Sequence, residues 1–381
     1  MLLNNTRINQ YSCTLQFTIL LLVSLFLNNP EISAQEQPDQ SVELQQLVSK
    51  VKQNEALYQN LQFKLNATEI DQAELIEYEG SKPIKRQSTI SFIRQGKKFR
   101  QQIHTQGRFV LNFTLGLYWL QDGYRASDPA EIHTNETWIR VESGTRENLS
   151  LFDGTTFRSF WKESMSDEEN KEPPRNQKRG LISDSPSGTL NQTSPHRFLF
   201  DSGQLPVSLS SFLTGKEAEQ AITGKSALTA RVTKLGTETF QGLVCTTLQL
   251  ETFDSTGKPR SRTNLWLSQD RNLIPVRRED FNYHVSKELP ISASLVEAWQ
   301  EVSPGVWFPN QAHTEYYRAR EGKRNSEQKP SRRKEYTLES IELNPKLPTD
   351  IFTKLDFEAG TPVSVVTDGI RVKHFRQGTE K

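Results

Sequence analysis

The sequence predicts a mainly β protein with a few helices, built on an antiparallel sheet that has one apolar and one polar face. Two patterns indicate this. From about residue 61, glycine-containing turns recur at spacings of about ten residues, which is typical of antiparallel hairpins. Between the turns the period is two, so that Ile90 and Phe92 share one face of a strand, as do Leu265 and Leu267. A sheet with one face in water also accounts for a hydrophobic content of only 34%.

Composition excludes several classes of protein. The chain has 381 residues with a formal net charge of +1, whereas a dedicated nucleic-acid binder carries a strong basic excess. A mean hydropathy of −0.66 excludes a polytopic membrane protein, because each helical span needs about 20 consecutive apolar residues. It also disfavours a doubly wound α/β enzyme, whose buried parallel strands are continuous apolar runs.

The N-terminus predicts export. Arg7 lies in a polar start, an apolar run covers residues 17–27, and a polar stretch then ends at Ala34. This order is that of a secretory signal peptide over 1–34, which places the protein in the periplasm or facing the outer membrane. The alternative is an uncleaved membrane anchor, but the run is shorter than the roughly 20 residues that a span requires.

Cysteine usage predicts a fold without disulfides. Cleavage after Ala34 removes Cys13 and leaves Cys245 alone, and a lone cysteine forms no intramolecular bridge. Cys245 lies in an apolar alternating run, so we expect a small buried side chain and not a nucleophile.

Periodicity divides the remaining chain. Leu44, Leu47, Val48 and Val51 follow the i, i+3, i+4, i+7 pattern of an amphipathic helix, which Leu57 and Tyr58 extend. The predicted segments are an N-terminal amphipathic helix (35–60), a first part of the sheet (61–161), a disordered polar insertion (162–196), a second part of the same sheet domain (197–375) and a tail (376–381).

Catalytic chemistry is mostly absent from the sequence. The six histidines have no zinc-binding spacing, and we expect no metal or other cofactor. Asp201-Ser202-Gly203 follows an apolar strand as in aspartic proteases, but those enzymes need a second carboxylate and only one such triplet occurs. Turn chemistry explains the triplet equally well. We therefore expect a protein that is not an enzyme, with a hydrolase as the third hypothesis.

One stretch of the sequence is strongly basic. Between Glu79 and Asp122 there is no acidic residue, whereas lysine and arginine recur. We predict that part of this set meets anionic lipid headgroups, at a membrane surface or on a membrane-bound partner. The alternative is an ordinary solvated sheet face. The headgroup candidates are Arg94, Lys97, Lys98 and Arg100.

The second half contains phrases that resemble a known group. They are Trp-Leu-x-x-x-Arg-Asn-Leu-x-Pro at 266–275, Gly-Val-Trp-Phe-Pro at 305–309, and an apolar C-terminal phrase at 357–368. The chain resembles the outer-membrane lipoprotein-sorting (LolA/LolB/LppX-like) group of exported bacterial proteins, especially its long planctomycete-type members. The resemblance covers mainly 225–370. No binding residue of the carriers can be matched here position by position.

The resemblance implies an incurved antiparallel half-barrel sheet with helices on its concave face. It further implies an apolar cavity for a lipid or lipoprotein acyl chain, hence a non-enzymatic carrier or chaperone. The alternative is a periplasmic interaction or scaffold protein on the same fold with no ligand. Each buried methylene of an acyl chain contributes about 0.8 kcal/mol, so apolar side chains suffice for such a site. Candidates for the cavity wall, each of which could equally be ordinary core, are Phe92, Phe99, Trp119, Trp138, Trp266, Trp299 and Trp307.

Overall fold

The computed structural model describes eight stretches of the chain. They are residues 40–71, 83–114, 137–167, 173–185, 194–200, 208–214, 229–317 and 330–378. The chain divides into two compact units, Met1–Leu44 and Gln45–Lys381, and the features below belong to the second. The predicted signal peptide and the Asp201 triplet lie outside the described residues.

The described elements are mostly strands. The helices are α1 (Gln40–Ala56), a 3-10 helix (Pro195–Arg197) and the short α2 (Leu209–Phe212). The strands are β1 (Asn60–Asp71), β2 (Ile84–Gln95), β3 (Lys98–Thr114), β4 (Thr137–Phe152), β5 (Phe157–Asp167), β6 (Arg175–Ser183), β7 (Thr229–Phe240), β8 (Leu243–Phe253), β9 (Pro259–Ser268), β10 (Pro275–Asn282), β11 (Ser292–Ser303), β12 (Val306–Tyr316), β13 (Arg332–Leu343), β14 (Pro362–Thr367) and β15 (Ile370–Arg376).

These strands form one open sheet. Its order is β15-β14-β6-β5-β4-β3-β2-β1-β13-β12-β11-β10-β9-β8-β7. Neighbouring strands are antiparallel, except that β14 runs parallel to β6. The mainly β, antiparallel fold is confirmed, and a sheet this wide that does not close on itself agrees with an incurved half-barrel.

Strand β1 lies at the centre of the sheet, where the two predicted parts meet. Its alternate residues Leu61, Phe63, Leu65 and Ala67 are buried. The ring of Phe63 lies 5.3 Å from that of Phe92 and 5.5 Å from that of Phe308, between centroids. We call the side of the sheet that carries these residues the helix face.

Helix α1 covers part of the helix face. Leu47 and Val51 are buried in a cluster with leucines of β8 and β9, among them Leu248 and Leu265. The predicted amphipathic helix is confirmed, but it is shorter than predicted. It ends at Ala56, and a turn leaves Leu57 44% exposed.

A polar network joins the end of α1 to the distant loop after β9. The hydroxyl of Tyr58 donates to the carbonyl oxygen of Trp307 at 2.5 Å, and the Trp307 N–H donates to Asn272 Oδ1 at 2.9 Å. His196 Nε2 donates to the Asn272 carbonyl oxygen at 2.8 Å, and its ring packs edge-on against Tyr58. Asn272 has a φ of 54°, a left-handed conformation that Asn adopts more readily than most residues. Asn272 therefore accepts hydrogen bonds from two residues that are distant in sequence, Trp307 and His196.

Glu55 makes a second connection at the same end of α1. Its carboxylate accepts hydrogen bonds from the Leu209 N–H at 2.7 Å and the Ser210 hydroxyl at 2.5 Å. Burial raises the pKa of Glu55 from its ordinary value, although these bonds and nearby Arg197 oppose that shift. The last turn of α1 is thereby tied to α2.

The prediction of a disordered insertion over 162–196 is wrong for the residues that the structure describes. The end of β5, all of β6 and the 3-10 helix lie there. Glu163 is buried beside Arg146 and Arg175, with oxygen–nitrogen distances of 3.2 and 3.5 Å, and Met165 is buried as well. Here a buried ion pair occupies positions that apolar side chains occupy on other strands. Hydrophobic periodicity therefore does not identify these strands in the sequence.

Removal of the Phe63 ring should destabilise the whole sheet. We expect Phe63→Ala to lower the free energy of unfolding by about 3–5 kcal/mol, because it leaves a cavity between β2 and β12. Urea denaturation measures this change. Leu235→Ala is the control, since Leu235 is 55% exposed on the edge strand β7 and should cost about 0.5 kcal/mol or less. Equal losses in the two variants would contradict the central role of β1.

His196 should make stability depend on pH. Burial lowers the pKa of His196 to about 4, whereas an unfolded histidine titrates near about 6.5. Between these values the unfolded chain binds a proton that the folded chain does not, so the free energy of unfolding should fall as the pH falls from 6.5 to 4.

His196→Gln tests this because glutamine keeps a donor for the Asn272 carbonyl oxygen and does not titrate. We expect urea denaturation between pH 7.5 and 4.5 to show a shallower decline for this variant. The exposed His284 provides the control, as His284→Gln should retain the decline of the unmodified protein. A decline in His196→Gln as steep as in the unmodified protein would refute the assignment.

Candidate functional site

The predicted cavity-wall aromatics that the structure describes do not all lie on one face of the sheet. Phe92 and Phe99 are buried in the main core on the helix face, with ring centroids 6.3 Å apart. Trp266 lies on the opposite face, because its neighbour Leu265 points to the helix face. The indole N–H of Trp266 donates to the Glu238 carboxylate. These three side chains are part of the packed interior, which is the alternative that the sequence left open.

The other four candidates are Trp119, Trp138, Trp299 and Trp307. Trp299 is half-buried at the margin of two clusters. Trp307 stacks on the Arg271 guanidinium, 3.7 Å from its ring centroid. Trp138 belongs to β4, opposite Phe113, and Trp119 lies outside the described residues.

The predicted headgroup residues do not form one basic face. Arg94 lies opposite Phe99 on the helix face, where burial lowers its pKa and its guanidinium donates to the Gly96 carbonyl oxygen at 2.9 Å. Arg100 points to the other face and donates to the carbonyl oxygens of residues 351 and 354. Lys97 and Lys98 are exposed at the turn between β2 and β3. Alternation along β2 and β3 therefore divides the basic set between two sides of the sheet.

The helix face is apolar in the core but charged farther along the strands. Beyond the core, its positions are occupied by buried or half-buried ion pairs. Arg86 lies 2.8 Å from Glu69 and 2.5 Å from Asp71, and Arg278 lies 2.8 Å from Asp280. Burial raises the pKa of Asp71, with Arg86 opposing the shift. An acyl chain along this half would desolvate charges, so the described helix face offers no continuous apolar trough.

A groove lies at the end of the sheet formed by β5, β6, β14 and β15. Its volume is about 730 Å³. The lining residues are Ser159, Trp161, Asn176, Gln177, Lys178, Arg179, Gly180, Leu181, Gly360, Pro362, Ser364, Val366, Arg371, His374 and Arg376. We call this feature the basic groove.

Strand register places the floor of the basic groove on the helix face. Trp161 pairs with Arg179 across β5 and β6, and Leu181 pairs with Ser364 across β6 and β14. Leu181 also packs against the main core, so the groove continues the apolar interior outward. The Arg179 guanidinium lies 5.3 Å from the Trp161 ring centroid, which holds the aromatic ring beside a positive charge.

The hairpin β14–β15 supplies the other wall. Ser364 pairs with His374, and their Oγ and Nδ1 atoms lie 3.2 Å apart. Lys178 donates to the Ala359 carbonyl oxygen at 2.6 Å, which secures the chain entering β14. The groove thus combines aromatic and aliphatic surface with several cations.

Sequence reasoning missed the basic groove. Six of its fifteen lining residues lie in the stretch 162–196, which the sequence predicts to be disordered, and the others lie on β5, on the last hairpin or just before it. The basic residues of Ile370–Arg376 were the available signal, but alternation alone would separate Arg371 from His374. They reach the same groove because the pairing of β14 with β15 shifts between Val365 and Val366.

Cys245 is buried, as predicted, and burial raises the pKa of its thiol to about 11.

Across the ranges that the structure describes, no three His, Cys, Asp or Glu side chains come close enough to share a metal ion. None of the helices within the described residues combines the length and apolar composition needed to cross a membrane.

Comparisons with known proteins give matches only among solved structures. No family model and no curated protein matches the sequence. A DUF1329 family protein from Desulfovibrio piger is 12% identical with a TM-score of 0.38, over 82% of this chain and 97% of that one. A putative outer membrane lipoprotein-sorting protein domain from Vibrio parahaemolyticus is 9% identical with a TM-score of 0.38, over 81% of this chain and 95% of that one.

Proposed function

We propose that this chain is an exported, non-enzymatic carrier or chaperone that holds a lipid or lipoprotein by its basic groove. The observation that carries the proposal is the groove itself, where an apolar floor of Trp161, Leu181 and Val366 lies next to several cationic side chains. Such a surface suits an amphiphile, whose acyl part contacts the floor. The site of action would be the periplasm, at a membrane surface or on a membrane-bound partner.

Size and surroundings support this place for the ligand. A volume of about 730 Å³ falls within the range of about 300–1,000 Å³ typical of small-molecule sites. Each methylene that leaves water contributes about 0.8 kcal/mol, so a few carbons on Trp161 and Leu181 are enough for measurable binding. The acyl chain is therefore expected to bind at the end of the sheet and not in a central apolar cavity.

A scaffold protein without a ligand is the second candidate. It is favoured by the packing of Phe92 and Phe99, which fill the interior that a simple carrier would leave open. Lipid extraction of the purified protein followed by mass spectrometry separates the two candidates. Bound lipid supports the carrier, whereas no extracted lipid and no uptake of a fluorescent fatty acid favours the scaffold.

Trp161→Ala should weaken uptake of the fluorescent fatty acid. Loss of the indole removes about 1–2 kcal/mol of apolar contact, equivalent to a Kd raised by roughly 5- to 30-fold. Fluorescence titration measures the Kd. Tyr283→Ala is the matched control, because Tyr283 is a half-buried aromatic residue that does not line the groove, and it should leave the Kd unchanged. Equal affinity of Trp161→Ala and the unmodified protein would place the acyl chain elsewhere.

A further inference from the structure

We propose that the basic groove recognises an anionic group, a phosphate or carboxylate, on the head of the amphiphile it holds. This inference rests on the proposed carrier function and adds the headgroup class. It replaces the predicted headgroup residues on β2 and β3 with residues on β6 and β15. The occupant is one anionic lipid molecule with its head between these two strands.

Charge is the first argument. The groove is lined by Lys178, Arg179, Arg371, His374 and Arg376, and no aspartate or glutamate is among the lining residues. The whole chain is almost neutral, with a formal net charge of +1, so this is a local concentration of one sign. A concave surface with charges of one sign raises the local concentration of the opposite ion.

The second argument is that two of these cations lack a carboxylate partner. Arg371 is exposed and makes no ion pair with any residue that the structure describes. Arg179 contacts a neutral partner, the Gln177 side chain at 3.4 Å, and the face of Trp161. Lys178 differs, because the Ala359 carbonyl oxygen and the Glu358 carboxylate engage its ammonium group. Arg179 and Arg371 therefore keep guanidinium donors for an external anion.

Geometry is the third argument. Arg179 lies on β6 and Arg371 on β15, with β14 between them. Two strand spacings of about 4.8 Å separate β6 from β15. Along β14, Gly180 next to Arg179 pairs with Val363, whereas Arg371 pairs with Val366, so the two arginines lie diagonally across β14 and reach the groove from opposite sides. Guanidinium groups bind phosphate and carboxylate oxygens in pairs of parallel hydrogen bonds. His374, held by Ser364 at 3.2 Å, adds a ring nitrogen at the same wall.

Protection of a sheet edge is the competing explanation for basic residues on β15. Edge strands often carry Lys and Arg to prevent pairing with other chains, and that role needs charge without a particular position. Lys373 provides the discriminating control. It lies on the same strand between Arg371 and His374, but it does not line the groove. A headgroup site needs Arg371 and not Lys373, whereas edge protection uses both.

The experiment measures lipid uptake from vesicles by the full chain. Vesicles of phosphatidylcholine and of phosphatidylglycerol, with identical acyl chains, are incubated with the protein, and protein-bound lipid is counted by mass spectrometry. We expect preferential uptake of phosphatidylglycerol. Arg179→Gln and Arg371→Gln should each lower its uptake about tenfold while leaving phosphatidylcholine uptake unchanged, and Lys373→Gln should match the unmodified protein. Circular dichroism verifies that each exposed or half-exposed substitution leaves the fold intact.

The outcomes separate this inference from the carrier proposal. Equal uptake of both lipids by the unmodified protein would overturn the headgroup site and leave the carrier function standing. Equal loss in Arg371→Gln and Lys373→Gln would also overturn it, in favour of general surface charge. Uptake of neither lipid would remove the carrier function itself. Tight binding of glycerol phosphate without any lipid would retain the anion site but overturn its assignment to a lipid headgroup.

Discussion

The pairing of β1 with β13 is the constraint on which the remaining structure depends. β1 follows α1 near the start of the described chain, and eleven of the described strands come between it and β13, yet Leu61 lies opposite Leu343. Without this pairing, β1–β6 and β7–β13 would be two separate sheets with two more open edges. The buried side chains of β1 hold the two halves together. Among them, Phe63 contacts Phe92 on one side and Phe308 on the other. A contact so distant in sequence is costly to form, and packing on both sides offsets that cost.

Because the halves are joined, α1, residues 198–200 and α2 pack on one continuous face of the sheet, and the composition of that face limits where an acyl chain could lie. Near β1 the face is filled by aromatic rings, and farther along the strands by ion pairs such as Arg86 with Asp71. Neither region accepts an acyl chain without displacing a side chain or desolvating a charge. The groove over β5, β6 and β14 is where apolar surface lies next to Arg179 and Arg371, which form no ion pair with the residues that the structure describes. The proposed ligand site is therefore at the end of the sheet and not at its centre.

The sequence predicts the architecture well because period-two alternation is a local signal. It predicts the site poorly for two physical reasons. Because Glu163 and its arginine partners give a buried strand a polar sequence, the sequence predicts disorder for the end of β5 and all of β6. Alternation could have corrected another error, since Trp266 lies between Leu265 and Leu267 and must face away from them. No local pattern could place β14 beside β6, which is a contact between strands distant in sequence.

The parallel pairing of β14 with β6 depends on how the chain returns across the sheet. After β13 it crosses the face opposite α1, where Arg100 donates to backbone carbonyl oxygens of the crossing segment and the Phe357 ring lies 6.3 Å from that of Phe160. Gly180 permits this approach, because a Cβ there would lie 2.8 Å from the Phe357 ring and 2.9 Å from Val363. A side chain at this position would push β14 away from β6. The basic groove lies on the helix face, but it depends on the absence of a side chain at Gly180 on the opposite face. Gly180 therefore supports the groove sterically, without contacting a ligand.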